Sequence, residues 1–427
     1  MVNDSRRVGP LAARLTSGKV FYGWYVALAC TVMMYVTVGV SYYGLSLFLR
    51  PLREEHGWSN AVVSSATATF FLVSGFSAFV GGPWIDRRGP KAFLGLGILL
   101  TAGAASAVGF VNEIWQLFAA YSLMAVAYGM GAVVPVSSLV SRWFIHDRAK
   151  ATMISSTGVS LGGATLVPIG AIMIDHGGLR LAAPVLGVLV LVVALPVLLL
   201  VVAADPAAMG LLPDGGKAPS ATSRINLADQ YRVWTRSQVA RTRSFWAVLV
   251  AFFLALGAQT AVLIYQLAFL QEPDKLGSRG AAALAVTTTT IGSIVARVVL
   301  SLFADRLDKR AMAVALFLLQ AAAISSYLVV HGTVLIYAVA LVFGFTIGNI
   351  YMTQTLLVGE LFGLVSFGTV YGMVALSGQI GSAIGLLGLG RLIDAHGYKL
   401  PFLLLAGADV VAAAVVTLAR KPPNLSA

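Results

Sequence analysis

Charge is scarce in this sequence. Only 11% of its 427 residues are Asp, Glu, Lys or Arg, and 58% are hydrophobic. A soluble domain carries roughly 25% charged residues, so a soluble globular protein of this length is excluded. Cysteine occurs once, at Cys30, which leaves no intramolecular disulfide and no cysteine metal cluster. The five histidines (His56, His146, His176, His331, His396) all fall in loops or at the ends of apolar runs, so no histidine relay crosses the apolar interior. Acids are fewer than bases, 17 against 29, and only Asp409 lies well inside an apolar run.

What the chain does have is hydrocarbon, with a mean hydropathy of +0.87. About 20 apolar residues span a bilayer as a helix. Spans are expected near 22–48, 60–82, 91–111, 115–140, 150–174 and 180–203. A second set is expected near 244–270, 280–304, 311–331, 333–357, 366–391 and 399–419. The expected fold is an all-α membrane protein of twelve transmembrane helices. Residues 1–203 and 244–427 would form two six-helix bundles, joined by a polar linker over 204–243.

The net charge of +12 is placed as topology requires. With a cytoplasmic N-terminus, most of the 29 Lys and Arg fall on the cytoplasmic side, the positive-inside pattern. Both termini are therefore expected in the cytoplasm, and a nucleic-acid partner is not. The 21 residues before the first span lack an apolar core and a small-residue cleavage site, so that span reads as an uncleaved anchor.

Two landmarks recur. "WIDRRGPK" (84–91) follows the second span and "FADRLDKR" (303–310) follows the eighth; "MIDHGG" (173–178) ends the fifth and "LIDAHG" (392–397) ends the eleventh. Asp86 and Asp305 are separated by the same number of residues as Asp175 and Asp394. The halves read as parallel repeats, with a site expected between them near the midplane.

"GGPWIDRRGPK" resembles the loop after the second helix of the major facilitator superfamily. "SRWFIHDRAKATMISSTGVSLGG" (141–163) and "FYGWYV" (21–26) are similar to its monocarboxylate transporter and oxalate–formate antiporter branch. The resemblance implies alternating access, a functional monomer, no cofactor, and a cytoplasmic gate. The gate residues would be Asp86, Arg87, Arg88, Arg142, Asp305 and Arg306, with the aspartates holding arginines or helix N-termini.

One charge stands apart. Arg297 lies in "GSIVARVVLSLFADRLDKR" (292–310), inside the eighth span. A centrally buried arginine costs about 2.5–3.5 kcal/mol on insertion scales. Thr289, Ser293, Arg297 and Ser301 recur every four residues among Ile, Val, Ala and Leu, so they line one face. Such a stripe turns away from lipid; the alternatives are snorkelling toward Asp305 or a structural pairing. A guanidinium matches a carboxylate with two parallel hydrogen bonds, so a small organic anion would offset its burial. The monocarboxylate branch carries an Asp-x-x-x-Arg pair in this helix. Here it is Ser293 and Arg297, which retains the anion-binding partner and lacks the branch's proton-handling acid. A lysine late in the branch's first helix aligns with Tyr43.

Further candidates for substrate contact are Tyr128, Asn349, Gln259 and Tyr351, each also readable as glue between helices. Asp409 is the candidate for proton coupling, with a structural, protonated acid as its alternative. "GVSLG" (158–162) fits a hydrolase elbow but lies within a span, where close helix packing explains it. "GLLGLG" (385–390) is likewise read as packing. No enzymatic activity and no metal are expected.

The expectation is a proton-coupled symporter of small monocarboxylates in a bacterial inner membrane, with lipid as its surroundings. Anion exchange of the oxalate–formate type is the main alternative. A drug or cation exporter, or a non-transporting sensor, ranks below both.

Overall fold

The computed structural model describes residues 20–216, 233–304 and 306–421. Helices appear where unbroken apolar sequence leaves the backbone no partner but itself. In chain order they are α1 (Gly23–Ser41), α2 (Gly44–His56), α3 (Asn60–Arg88), α4 (Pro90–Val108), α5 (Ile114–Tyr128), α6 (Val134–Trp143) and α7 (Arg148–Leu200). Then come α8 (Arg243–Leu270), α9 (Arg279–Ala304), α10 (Lys309–Val329), α11 (Thr333–Phe362), α12 (Phe367–His396) and α13 (Lys399–Val416).

Among the described residues, ten helical stretches are long and apolar enough to cross a bilayer. The 53-residue α7 is two crossings joined at Gly178, whose φ of 70° turns the chain where a side chain would be strained. With α9, whose apolar centre is Leu284–Leu300, the count reaches the expected twelve. The first span is interrupted at Tyr42 and Tyr43 between α1 and α2. The fourth carries a π-helical turn, Gly129–Val133, between α5 and α6.

The chain divides into two compact units. One is Met1–Val233 with Leu364–Gly372, the other Trp234–Gly363 with Met373–Ala427. In the first, α1 lies along α7 at backbone contact: a Cβ at Gly162 would stand 2.5 Å from the Tyr35 carbonyl oxygen, and one at Gly158 would overlap that of Thr31. The elbow-like "GVSLG" is thus a packing seam. In the second unit, Gly385 of "GLLGLG" meets the Gly257 carbonyl in the same way, whereas Gly388 has open space around it.

The stretch after α7 is pinned to the first unit. Tyr22 OH donates to Val201 O (2.6 Å), Lys91 Nζ to Val202 O (2.7 Å) and Trp143 Nε1 to Ala203 O (3.0 Å). These satisfy carbonyls that a helix C-terminus leaves open. Asp214 then accepts from the amides of Ile145 (2.9 Å) and His146 (2.8 Å), just ahead of α7.

Candidate functional site

In the second unit the polar stripe of α9 turns inward. Arg297 and Ser293 are 5% and 4% exposed, while Ile291, Val295, Val298 and Val299 form the opposite, outward face, Val295 being 51% exposed. Arg297 therefore does not point at lipid. Its guanidinium lies against the backbone of α11 at Gly348: a Cβ there would overlap Nε and stand 2.6 Å from Cζ and 2.7 Å from Nη2. Only glycine leaves room for the group at that point.

Asn349, next in the chain, is fully buried. Its Nδ2 donates to Phe345 O (2.9 Å), and its Oδ1 has no hydrogen-bond partner among the described residues. Ser293 Oγ, one helical turn before Arg297, is likewise buried and without a partner there. Buried polar atoms are nearly always satisfied, so two orphans beside a buried guanidinium mark a place suited to a polar ligand. A guanidinium with adjacent neutral hydrogen-bonding groups holds a carboxylate and orients its substituent.

Thr289, of the same stripe, serves helix packing, while the Ser301 side chain lies outside the described residues. Thr289 Oγ1 accepts from Gln266 Nε2 (2.8 Å), which also donates to Tyr327 OH (2.6 Å). On α11, Thr353 donates to the Asn349 carbonyl (2.7 Å). Tyr351 is half-buried. Gln259 is engaged elsewhere: its Nε2 donates to Gln320 Oε1 (3.0 Å), and Gln320 Nε2 reaches Asp409 Oδ1 (3.0 Å) and Oδ2 (3.1 Å). Asp409 is fully buried.

In the first unit, Tyr128 is 8% exposed, stacked on Tyr42 with centroids 5.7 Å apart, and tilted against Phe70 at 5.5 Å. Tyr42 also meets Tyr43 (5.2 Å) and Phe71 (6.0 Å). The Tyr43 ring covers Gly163 of α7. Tyr128 and Tyr43 are thus brought into one aromatic cluster, followed directly by the π-helical turn. Such turns are common at functional positions.

Asp86, near the end of α3, holds the start of α12. Gly368 N donates to Oδ1 (2.8 Å); Thr369 N and Thr369 Oγ1 both donate to Oδ2 (2.7 Å each). These amides belong to the first turn of α12, where donors are open and the dipole favours an anion. Arg142 Nη2 donates to the Asp86 carbonyl (3.2 Å), and its Nη1 lies 3.9 Å from Asp205. Arg148 sits over the Phe367 ring at 4.9 Å. Arg87 and Arg88 are exposed, Arg88 over Trp84 at 5.2 Å. Arg306 is exposed, and Asp305 lies outside the described residues.

Sequence reading missed Phe70, Phe71, Gln320 and two amides, Gln354 and Gln379. Gln354 Nε2 and Gln379 Oε1 are buried without hydrogen-bond partners among the described residues. Isolated glutamines in apolar helices were the available signal.

Comparison with known proteins fits this architecture. A sequence profile of the Major Facilitator Superfamily matches residues 30–277 and 266–427. The chain belongs to that superfamily. It is 24% identical over 235 residues to the oxalate:formate antiporter of Oxalobacter formigenes, covering 54% of this chain and 51% of the antiporter. It is 25% identical over 157 residues to a probable chloroplastic anion transporter of rice, covering 36% of this chain and 26% of the transporter. The chain thus spans about half or less of these relatives' length. The human organic anion transporter MFSD10 superposes with a TM-score of 0.68 at 15% identity, over 92% of this chain and 98% of its own. The E. coli fucose:proton symporter FucP gives 0.69 at 19% identity, over 93% and 98%. Family and fold are those of multi-pass membrane transporters.

Proposed function

We propose that this superfamily member carries small carboxylate anions by alternating access, with Arg297 as the carboxylate clamp. The observation that carries the reading is the inward guanidinium on Gly348, with the orphaned Ser293 Oγ one turn before it on α9 and the orphaned Asn349 Oδ1 next to Gly348 on α11. The substrate carboxylate takes the fork of Arg297, and Ser293 and Asn349 bond its substituent. Tyr128, Tyr43 and Tyr351 shape the path, and Gln259 acts behind the site. A buried cation without its anion is costly to occlude; with a monoanion the pair is neutral and the carrier turns over more readily. In this reading 1–203 and 244–427 are the moving bundles, 204–243 is their linker, and the chain sits in a bacterial inner membrane with both termini in the cytoplasm. Asp86 with Arg142 on one side, and Asp305 with Arg306 on the other, serve as the cytoplasmic gate, with Arg87 and Arg88 facing lipid headgroups.

Proton-linked movement of monocarboxylates of the lactate and pyruvate class is the first form. Anion exchange is the second, favoured by the similarity to the oxalate:formate antiporter and by Ser293 standing where the branch has an acid. Proteoliposomes separate them. Uptake of labelled formate, lactate and oxalate is measured after an external acid jump, with and without internal anion. Acid-driven uptake into anion-free vesicles supports symport; uptake only against internal anion supports exchange. Failure of all three anions to move, or full activity in Arg297→Ala, refutes the carboxylate reading.

A further inference from the structure

Behind the α9–α11 contact, four buried side chains from four helices form one chain of hydrogen bonds. Asp409 (α13) meets Gln320 (α10); Gln320 meets Gln259 (α8) and Thr346 (α11). Asp409, Gln320 and Thr346 are fully buried and Gln259 nearly so. Gln320 Nε2 has two hydrogens for three acceptors: Ala255 O (3.0 Å), Asp409 Oδ1 (3.0 Å) and Asp409 Oδ2 (3.1 Å). Its Oε1 accepts from Gln259 Nε2 (3.0 Å) and Thr346 Oγ1 (3.1 Å). In this pattern the carboxyl group only accepts, and it suits an ionised acid.

A second pattern uses the same heavy-atom positions. With a proton on Asp409, the O–H donates to Gln320 Oε1 once that amide is turned over. Gln320 Nε2 then donates to Gln259 Oε1, its amide also turned, and to Thr346 Oγ1. The single Thr346 hydroxyl hydrogen, given to Gln320 Oε1 in the first pattern, turns to Phe343 O (2.7 Å), and Ala255 O gives up Gln320 and keeps its helical amide. The two patterns differ by one proton, and in both the Gln320 amide is fully paired. The switch ends on Thr346, two residues before the Gly348 that seats the Arg297 guanidinium and three before Asn349.

We infer that Asp409 is the proton-carrying residue of this transporter, linked to Arg297 through Gln320 and Thr346 as a positioning relay. It rests on the carboxylate reading. One O–H bond forms at a carboxylate oxygen as a hydronium ion of the bulk water gives up its proton to that oxygen. The same bond breaks when the proton is given back to water on the other side; no other bond or electron changes place. The helices packed against α13 are α10 and α8. They face Asp409 with neutral groups, Gln320, the Ala255 carbonyl and, through Gln320, Gln259. Their charged residues, Lys309, Arg310 and Arg243, stand at helix starts, as does Lys399 on α13. Ten residues separate Lys399 from Asp409, about 15 Å along the helix. Tyr327, seven residues beyond Gln320, bonds Gln266 instead.

Infrared difference titration of the purified full chain in detergent tests the inference without any substrate. The protonated-carboxyl C=O band should appear as pH falls, vanish in Asp409→Asn, and shift in Asp409→Glu. No difference in that band between wild type and Asp409→Asn at any pH at which both are folded overturns it. If the asparagine variant does not fold, an unshifted band in Asp409→Glu overturns it equally. In vesicles, Asp409→Asn should retain formate counterflow at equal pH yet lose acid-driven uptake; retained acid-driven uptake also overturns it. Absence of counterflow in the wild type would instead strike the carboxylate reading, leaving the infrared band to decide the protonation of Asp409.

Discussion

Gly348→Ala isolates the position of the guanidinium from its charge. The added methyl would stand 2.6 Å from Arg297 Cζ and 2.7 Å from Nη2, where carbon contacts settle near 3.5–4.0 Å. Nε is nearer still, so the guanidinium must move by at least about 1 Å. A displacement of that size at a reacting or binding centre costs about 10²-fold. The helix itself favours the change, since alanine in a helix interior is better than glycine by roughly 0.5–1 kcal/mol. What has to yield is the flexible end of a side chain rather than backbone. The expected signature is a split: thermal stability unchanged or raised, and uptake of labelled formate reduced about 100-fold at low substrate. Gly407→Ala on α13, where an added Cβ meets nothing within 4 Å, is the control and should leave transport at wild-type levels. Wild-type uptake by a folded Gly348→Ala variant would refute the placement of Arg297 at the substrate.

Arg297→Lys keeps the charge and loses the planar fork. Loss of one charge-assisted hydrogen bond, about 1.5–3 kcal/mol, should raise KM for formate about 10- to 150-fold in vesicle uptake. Ser293→Asp places a carboxylate one turn from Arg297, and by competing for the guanidinium should weaken anion uptake, as equilibrium binding of labelled formate would show. Asp86→Asn removes the charge from three donors at the start of α12; altered transport rates and altered labelling of an introduced cytoplasmic-side cysteine are expected, and no change in either would dismiss the gate. Asp214→Ala removes the acceptor for the Ile145 and His146 amides and should lower stability by about 0.5–2 kcal/mol in thermal melts, with substrate affinity intact.

The fold was legible because lipid enforces it: unbroken apolar runs leave the backbone few alternatives to helix. The inward face of α9 was equally legible, since polar residues every four positions stand out against valine and isoleucine. Which of those residues serve packing was not. Thr289 differs from Ser293 only in having Gln266 and Tyr327 across from it, and neither partner is local in sequence. Asp86 illustrates the same limit. Its charge and place in the motif were plain, but its partners are backbone amides of Gly368 and Thr369, which no side-chain pattern announces. Gln320 was invisible for both reasons: one glutamine in an apolar helix, with partners on three other helices.

The pinned stretch after α7 sets a practical boundary. Tyr22 just ahead of α1, Lys91 of α4 and Trp143 of α6 moor Val201, Val202 and Ala203, and Asp214 ties down the chain about a dozen residues later. A reporter domain or protease site spliced in between Ala203 and Asp214 would pull these moorings from the first unit, so that short segment is a poor seam for an engineer.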